Sequence, residues 1–104
     1  MLKLLLAGLF DSHATIAGES IRALAFIFGS RPDLLTTDMW TIIKVTEARI
    51  QSRDIGYLTN LAFLYRELNR FPDLDNSFRV IISSVLKELS ESQYANVRQE
   101  AVNI

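Results

Sequence analysis

The sequence contains no cysteine and a single histidine. Without thiols it can form no disulfide, no thiolate nucleophile and none of the usual structural zinc sites. A domain that does without disulfides fits a reducing compartment, so a cytoplasmic location is expected. Charge of either sign is not in excess: eleven Lys and Arg stand against twelve Asp and Glu, for a formal charge of -1. Affinity for a phosphate backbone comes from clustered basic residues, and this balance argues against nucleic acid. Apolar runs are short of the ~18 residues that a membrane span requires. Only Met1-Leu2-Lys3 and the run Leu4 to Phe10 imitate an export signal, and Asp11 interrupts them; an ordinary buried helix is the better reading. The few glycines make no glycine-rich loop after a strand, so a nucleotide cradle has no support.

What is present is the composition of a globular domain. Of 104 residues, 49% are hydrophobic and 22% charged, enough for one continuous core. Six helical segments can be read from apolar spacing. The first covers Leu2 to Phe10 and ends at Asp11-Ser12-His13. The second runs from Thr15 to Phe28, with Ala17, Ile21, Leu24 and Phe28 on one face. Gly29 is expected to stop it in the left-handed conformation, with Pro32 just beyond. Phe26 and Ile27 add apolar surface on a second side. The third segment is capped by Thr37, carries Asp38 in its first turn and continues through Trp40, Ile43 and Glu47 to Ile50.

The fourth segment opens at Gln51-Ser52-Arg53-Asp54 and places Ile55, Leu58, Leu61, Ala62, Tyr65 and Leu68 on one stripe before Pro72 ends it. Asp75 or Asn76 caps the fifth, which buries Phe78, Ile81, Ile82, Val85 and Leu89. Its Arg79-Val80-Ile81-Ile82 is β-branched, yet the helical period continues to Leu89 and decides for helix. The sixth begins near Tyr94 and is still running at Ile104. An apolar residue ending an uncapped helix suggests a longer stack, or self-association through this open last helix.

An internal repeat organises these segments. Ile21-Arg22-Ala23-Leu24-Ala25, Leu58-Thr59-Asn60-Leu61-Ala62 and Val97-Arg98-Gln99-Glu100-Ala101 align at spacings of 37 and 39 residues. The first two extend as Leu24-Ala25-Phe26-Ile27-Phe28 and Leu61-Ala62-Phe63-Leu64-Tyr65. An alanine at one place in each second helix allows close approach of a neighbour, while large apolar residues fill the layer between repeats. With Val97-Arg98-x-x-Ala101 and Ile21-Arg22-x-x-Ala25, the chain resembles the HEAT-repeat family. Thr59 stands where that family favours Arg, and no turn Asp recurs consistently to pair with it.

The resemblance implies an all-α domain, a right-handed stack of about three antiparallel helix pairs, with repeats near 1–31, 32–72 and 73–104. The competing architecture is an irregular helical bundle. The resemblance further implies a protein-interaction scaffold whose second helices line the concave binding side. Glu19, Arg22 and Phe26, then Asn60, Phe63 and Glu67, then Arg98, Gln99 and Asn103 are the residues expected there. Phe26 and Phe63 occupy equivalent positions and should pair across adjacent repeats. Burial is preferred for them, because large exposed apolar patches are uncommon on monomers. Exposed, they would anchor a peptide or helix.

Other residues fare worse as sites. Asp11, Ser12 and His13 are too close in sequence to converge as a triad, so His13 reads as a solvated turn residue. Asp73 and Asp75 lack the ligand spacing and turn glycine of a calcium loop and read as cap and turn. Glu88 and Glu91 near Lys87 read as a solvated face. Met39 and Trp40 read as core. Arg22 and Arg98 are expected to hold repeats together. A nucleic-acid binder would need Arg22, Arg66, Arg70 and Arg98 to converge, and an enzyme would need a pocket of paired polar groups. The expectation is therefore a protein or peptide partner, no cofactor, no metal and no catalysis.

Overall fold

The computed structural model describes residues 2–31, 33, 39–51, 54–70 and 75–102. It is all-α: α1 (Leu2–Gly8), α2 (Ala14–Ser30), α3 (Met39–Glu47), α4 (Ile55–Asn69), α5 (Asn76–Ser90) and α6 (Ala95–Val102), with no strand among the described residues. The expected caps at Thr37 and Asp38, the stop at Pro72 and the end at Ile104 lie outside the described residues.

Two helix starts follow from short acidic side chains. Asp54 caps α4 by accepting the Tyr57 backbone N–H at 2.8 Å. Asp75 caps α5 by accepting the Ser77 N–H at 2.8 Å and its hydroxyl at 2.7 Å. Each supplies an acceptor to a backbone donor that the helix itself leaves unpaired. The end of α2 departs from expectation: Gly29 lies inside the helix, and no described glycine has a positive φ. The Arg31 N–H instead closes the last turn on the Ile27 carbonyl.

The apolar stripes become the core. Ala17, Ile21, Leu24 and Phe28 of α2 are buried, as are Leu58, Leu61, Ala62, Tyr65 and Leu68 of α4. Ile82, Val85 and Leu89 carry α5, with Phe78 and Ile81 partly buried against the same core. Ile55 departs from its expected stripe and is exposed at the first turn of α4. The β-branched run of α5 is helical, so the period outweighs the local β propensity.

α4 is the central helix. It packs most extensively on α2 and also against α5 and α6, while α1 rests on α2 and α5 on α6. The α2–α4 seam is tight because Gly18 is buried there. A Cβ at that position would meet the Tyr57 Cα and the Asn60 amide nitrogen, each at 3.3 Å. Gly8 plays the same part between α1 and α2, where an added Cβ would collide with the Ser20 hydroxyl.

Polar ties fix the remaining helices. Thr46 of α3 and Tyr65 of α4, both fully buried, share a hydroxyl–hydroxyl hydrogen bond of 2.7 Å. Thr46 Oγ1 also lies 2.7 Å from the Ile42 carbonyl, so no hydroxyl in the pair is stranded. Burial pushes the Tyr65 phenol well above its ordinary range. Arg49, just past α3, donates to the Asp11 carbonyl at 2.8 Å and lies over the Tyr57 ring at 5.0 Å. One side chain thus ties the α1–α2 turn to α4.

The apolar end expected of the last helix rests on Ile104, which lies outside the described residues. α6 buries Val97 and exposes Ala95, Asn96, Arg98 and Gln99, with Val102 its one large exposed apolar residue among those described. On and just after α1, Leu4 is 77% and Phe10 65% exposed. No helix among the described residues is long and apolar enough to cross a membrane.

Candidate interaction surface

The repeat register puts Phe26 one position after Ala25 on α2, and Phe63 one position after Ala62 on α4. Both alanines are buried in the core. The next position on each helix therefore turns outward along the seam. Phe26 and Phe63 meet there edge to face, with ring centroids 5.4 Å apart and planes at 68°. The expected pair forms. The expected burial does not hold for Phe26, which is 56% exposed; Phe63 is partly buried against the core. Their different depths follow from position, since α4 has neighbours on more sides than α2.

Arginine surrounds the pair. Arg22 lies one turn before Phe26, and its guanidinium carbon sits 5.5 Å from the Phe26 centroid and 5.4 Å from that of Phe63. Its Nη1 donates to Asn60 Oδ1 at 3.4 Å, which bridges α2 to α4 through a long, weak bond. Arg66 approaches Phe63 from its own helix, at 5.6 Å. It is held by α6, donating to the Glu100 carbonyl at 3.2 Å and facing its carboxylate at 3.5 Å. The Arg66 Nε is buried without a hydrogen-bond partner among the described residues.

Glu67 faces Arg70 at 3.5 Å and also reaches toward Gly29 of α2. Glu19 is exposed on α2, one turn before Arg22. The structure thus gathers Arg22, Phe26, Asn60 and Phe63 into one patch, with Glu19 and Glu67 on the same two helices. Arg98 is elsewhere: rather than bridging repeats, it turns back and donates to the Ser92 carbonyl at 2.7 Å. Gln99 lines a separate shallow cleft with Thr59, Asn96 and Glu100. Asn103 lies outside the described residues.

Arg66 was absent from the expected binding residues although it touches the same ring as Arg22. The signal was available, since Phe63 and Arg66 are three apart on one helix and so share a face. The four arginines considered for a basic strip do not pool their charge. Arg22 and Arg66 flank Phe63, Arg70 faces Glu67, and Arg98 bends onto its own turn.

A second aromatic pair joins α3 and α5. Trp40 of α3, expected in the core, is 47% exposed and packs on Phe78 of α5 with centroids 4.6 Å apart. Among the described residues of α3, Ile42, Ile43 and Thr46 are the buried ones.

Chemistry-bearing groups are sparse. Asp11 Oδ1 accepts from the backbone N–H of His13 at 2.8 Å and lies 2.9 Å from its Nδ1. The backbone hydrogen bond, more than the imidazole, lowers the Asp11 carboxyl below its usual range. The imidazole is exposed, as a turn residue should be. Asp75 is occupied as a cap, and Asp73 lies outside the described residues. No group of three His, Asp or Glu among the described residues could hold a metal ion. Comparison with protein-family models, with curated proteins and with solved structures returns no match.

Proposed function

We propose that this chain is a protein-interaction module, a short HEAT-like stack of three helix pairs in the cytoplasm, acting through the face of its second helices. The observation that carries the reading is Phe26. A phenylalanine more than half exposed, set against a second ring and an arginine on a neighbouring helix, is the kind of rigid anchor that dominates protein interfaces.

The order of packing supports the stack. α2 lies on α4 and α4 on α6, so the second helix of each pair touches the next. Ile21, Leu58 and Val97, the heads of the three aligned segments, are all buried. Ala25 and Ala62 are buried at their tails and Ala101 partly so. A repeat array needs this nearest-neighbour burial, because one helix pair cannot cover its own apolar face.

Duplex nucleic acid finds less support. The carboxylates of Glu100 and Glu67 already face Arg66 and Arg70, so the face offers no continuous cationic track.

The test is capture from lysate by the full chain, comparing wild type with Phe26→Ser and Phe63→Ser. A partner recovered by wild type and lost by both folded variants is the expected result. Equal recovery by folded variants would refute the surface.

A further inference from the structure

We infer that the α2–α4 face recognises a carboxylate set beside an apolar side chain, with Arg22 taking the acid and Phe26 the apolar group. This rests on the reading of that face as a protein-binding surface and names the chemistry of what it binds.

Positive charge is left over on this face. Three arginines belong to this face. Arg66 has the Glu100 carboxylate at 3.5 Å, and Arg70 has that of Glu67 at 3.5 Å. Arg22 has only the neutral Asn60 oxygen, at 3.4 Å, and among the described residues no carboxylate lies within ion-pair distance of it. Its guanidinium is nonetheless not adrift. Its guanidinium carbon lies over two rings, at 5.5 and 5.4 Å, and the negative face of an aromatic ring attracts a cation.

A guanidinium offers five N–H donors in a planar fork, and Asn60 takes one of them. The remaining donors match a carboxylate, whose two oxygens accept parallel N–H bonds. Arg22 is exposed, so an incoming acid need not be stripped of water in a closed cavity. It is also partly ordered in advance, which reduces the entropy lost on binding.

Phe26 supplies the second half of the specificity. It lies four residues after Arg22, so the two groups are about 6 Å apart along the helix face. A matching segment would place its acid and its apolar residue at i and i+3 or i+4 if helical, or at i and i+2 if extended. Glu19, one turn before Arg22, works in the opposite direction and discourages a second acid on that side.

The test selects displayed random peptides against the full chain, then measures the recovered peptides against defined variants. Enriched peptides should carry Asp or Glu at one of these spacings from Leu, Ile or Phe. Replacing that acid by its amide, or making Arg22→Gln in the chain, should each weaken binding roughly tenfold, and the two changes together should cost little more than either alone. Arg22→Lys, which keeps the charge but loses the fork, should fall between. Peptides that need Phe26 but bind Arg22→Gln unchanged would overturn the acid recognition and leave the protein-binding face standing. Binders that ignore both Phe26→Ser and Arg22→Gln, or an absence of binders, would overturn both. Binding of a duplex oligonucleotide at this face in place of peptides would do the same. Both substitutions are at exposed positions, so loss of folding does not stand in for loss of binding.

Discussion

Among the described residues two aromatic pairs bridge neighbouring helices, Phe26–Phe63 between α2 and α4 and Trp40–Phe78 between α3 and α5. Each joins an exposed ring to a partly buried one, at 5.4 and 4.6 Å. They differ in company. Arg22 and Arg66 lie against Phe63, and Arg22 lies against Phe26 as well. The Trp40 pair has no arginine over either ring among the described residues. Similar packing therefore carries different chemistry: one pair presents charge beside an apolar ring, while the other chiefly secures two helices. Exposure alone would not have separated them.

The supports beneath the pairs differ too. α2 sits close to α4 because Gly18 leaves no side chain between them, so Phe26 meets Phe63 across a tight seam. α3 is tied to α4 by the buried Thr46–Tyr65 hydrogen bond, a polar link in place of close backbone contact. Breaking the first support should be the most damaging change. Gly18→Leu would drive a side chain into the backbone of Tyr57 and cost about 3 kcal/mol, read as a lower urea midpoint. Loss of the Phe26–Phe63 contact should accompany it. Trp40→Ala comes next, at about 1–2 kcal/mol for a half-exposed ring, with partner binding unchanged.

Alkaline pH tests the α4 supports together. Burial raises the phenol of Tyr57 and that of Tyr65 above the ordinary value. Each folded-state value is the raised one, so the stability tied to it is intact below pH ~10 and is lost as pH rises beyond that. The loss should approach ~1.4 kcal/mol per pH unit for each tyrosine between its unfolded and folded values. Tyr65→Phe should flatten that decline, and at neutral pH should cost about 1 kcal/mol for the lost bond to Thr46. Phe26→Ser should have the smallest effect on stability, under about 1 kcal/mol, because the ring is already largely in solvent. Its effect on partner binding should be the largest of the series.

Much of this was legible in the sequence. The stripes of α2, α4 and α5 and the pairing of Phe26 with Phe63 follow from helical period and the repeat spacing, and the cap at Asp75 from its residue type ahead of an apolar stripe. Those are local or periodic properties. Exposure is not. Trp40 has the spacing of a core residue and Phe26 adds an apolar second side to its helix, and only the arrangement of neighbouring helices leaves them open. Gly29 had the sequence context of a helix stop, yet the helix ran through it, because Arg31 could still close a turn on Ile27. Arg49 shows the same limit from another side. Its hold on the Leu9 and Asp11 carbonyls spans 40 and 38 residues, and no pattern within one helix announces such a contact.

The most direct test of the account is one NMR titration that follows both exposed rings while the captured partner is added to the full chain. Trp40 is the sole tryptophan, so its indole N–H gives one unambiguous signal beside the ring resonances of Phe26. The account predicts that the Phe26 and Phe63 rings and the Arg22 side chain shift on binding while the Trp40 indole stays in place. A shift at Trp40 with Phe26 unmoved would contradict it.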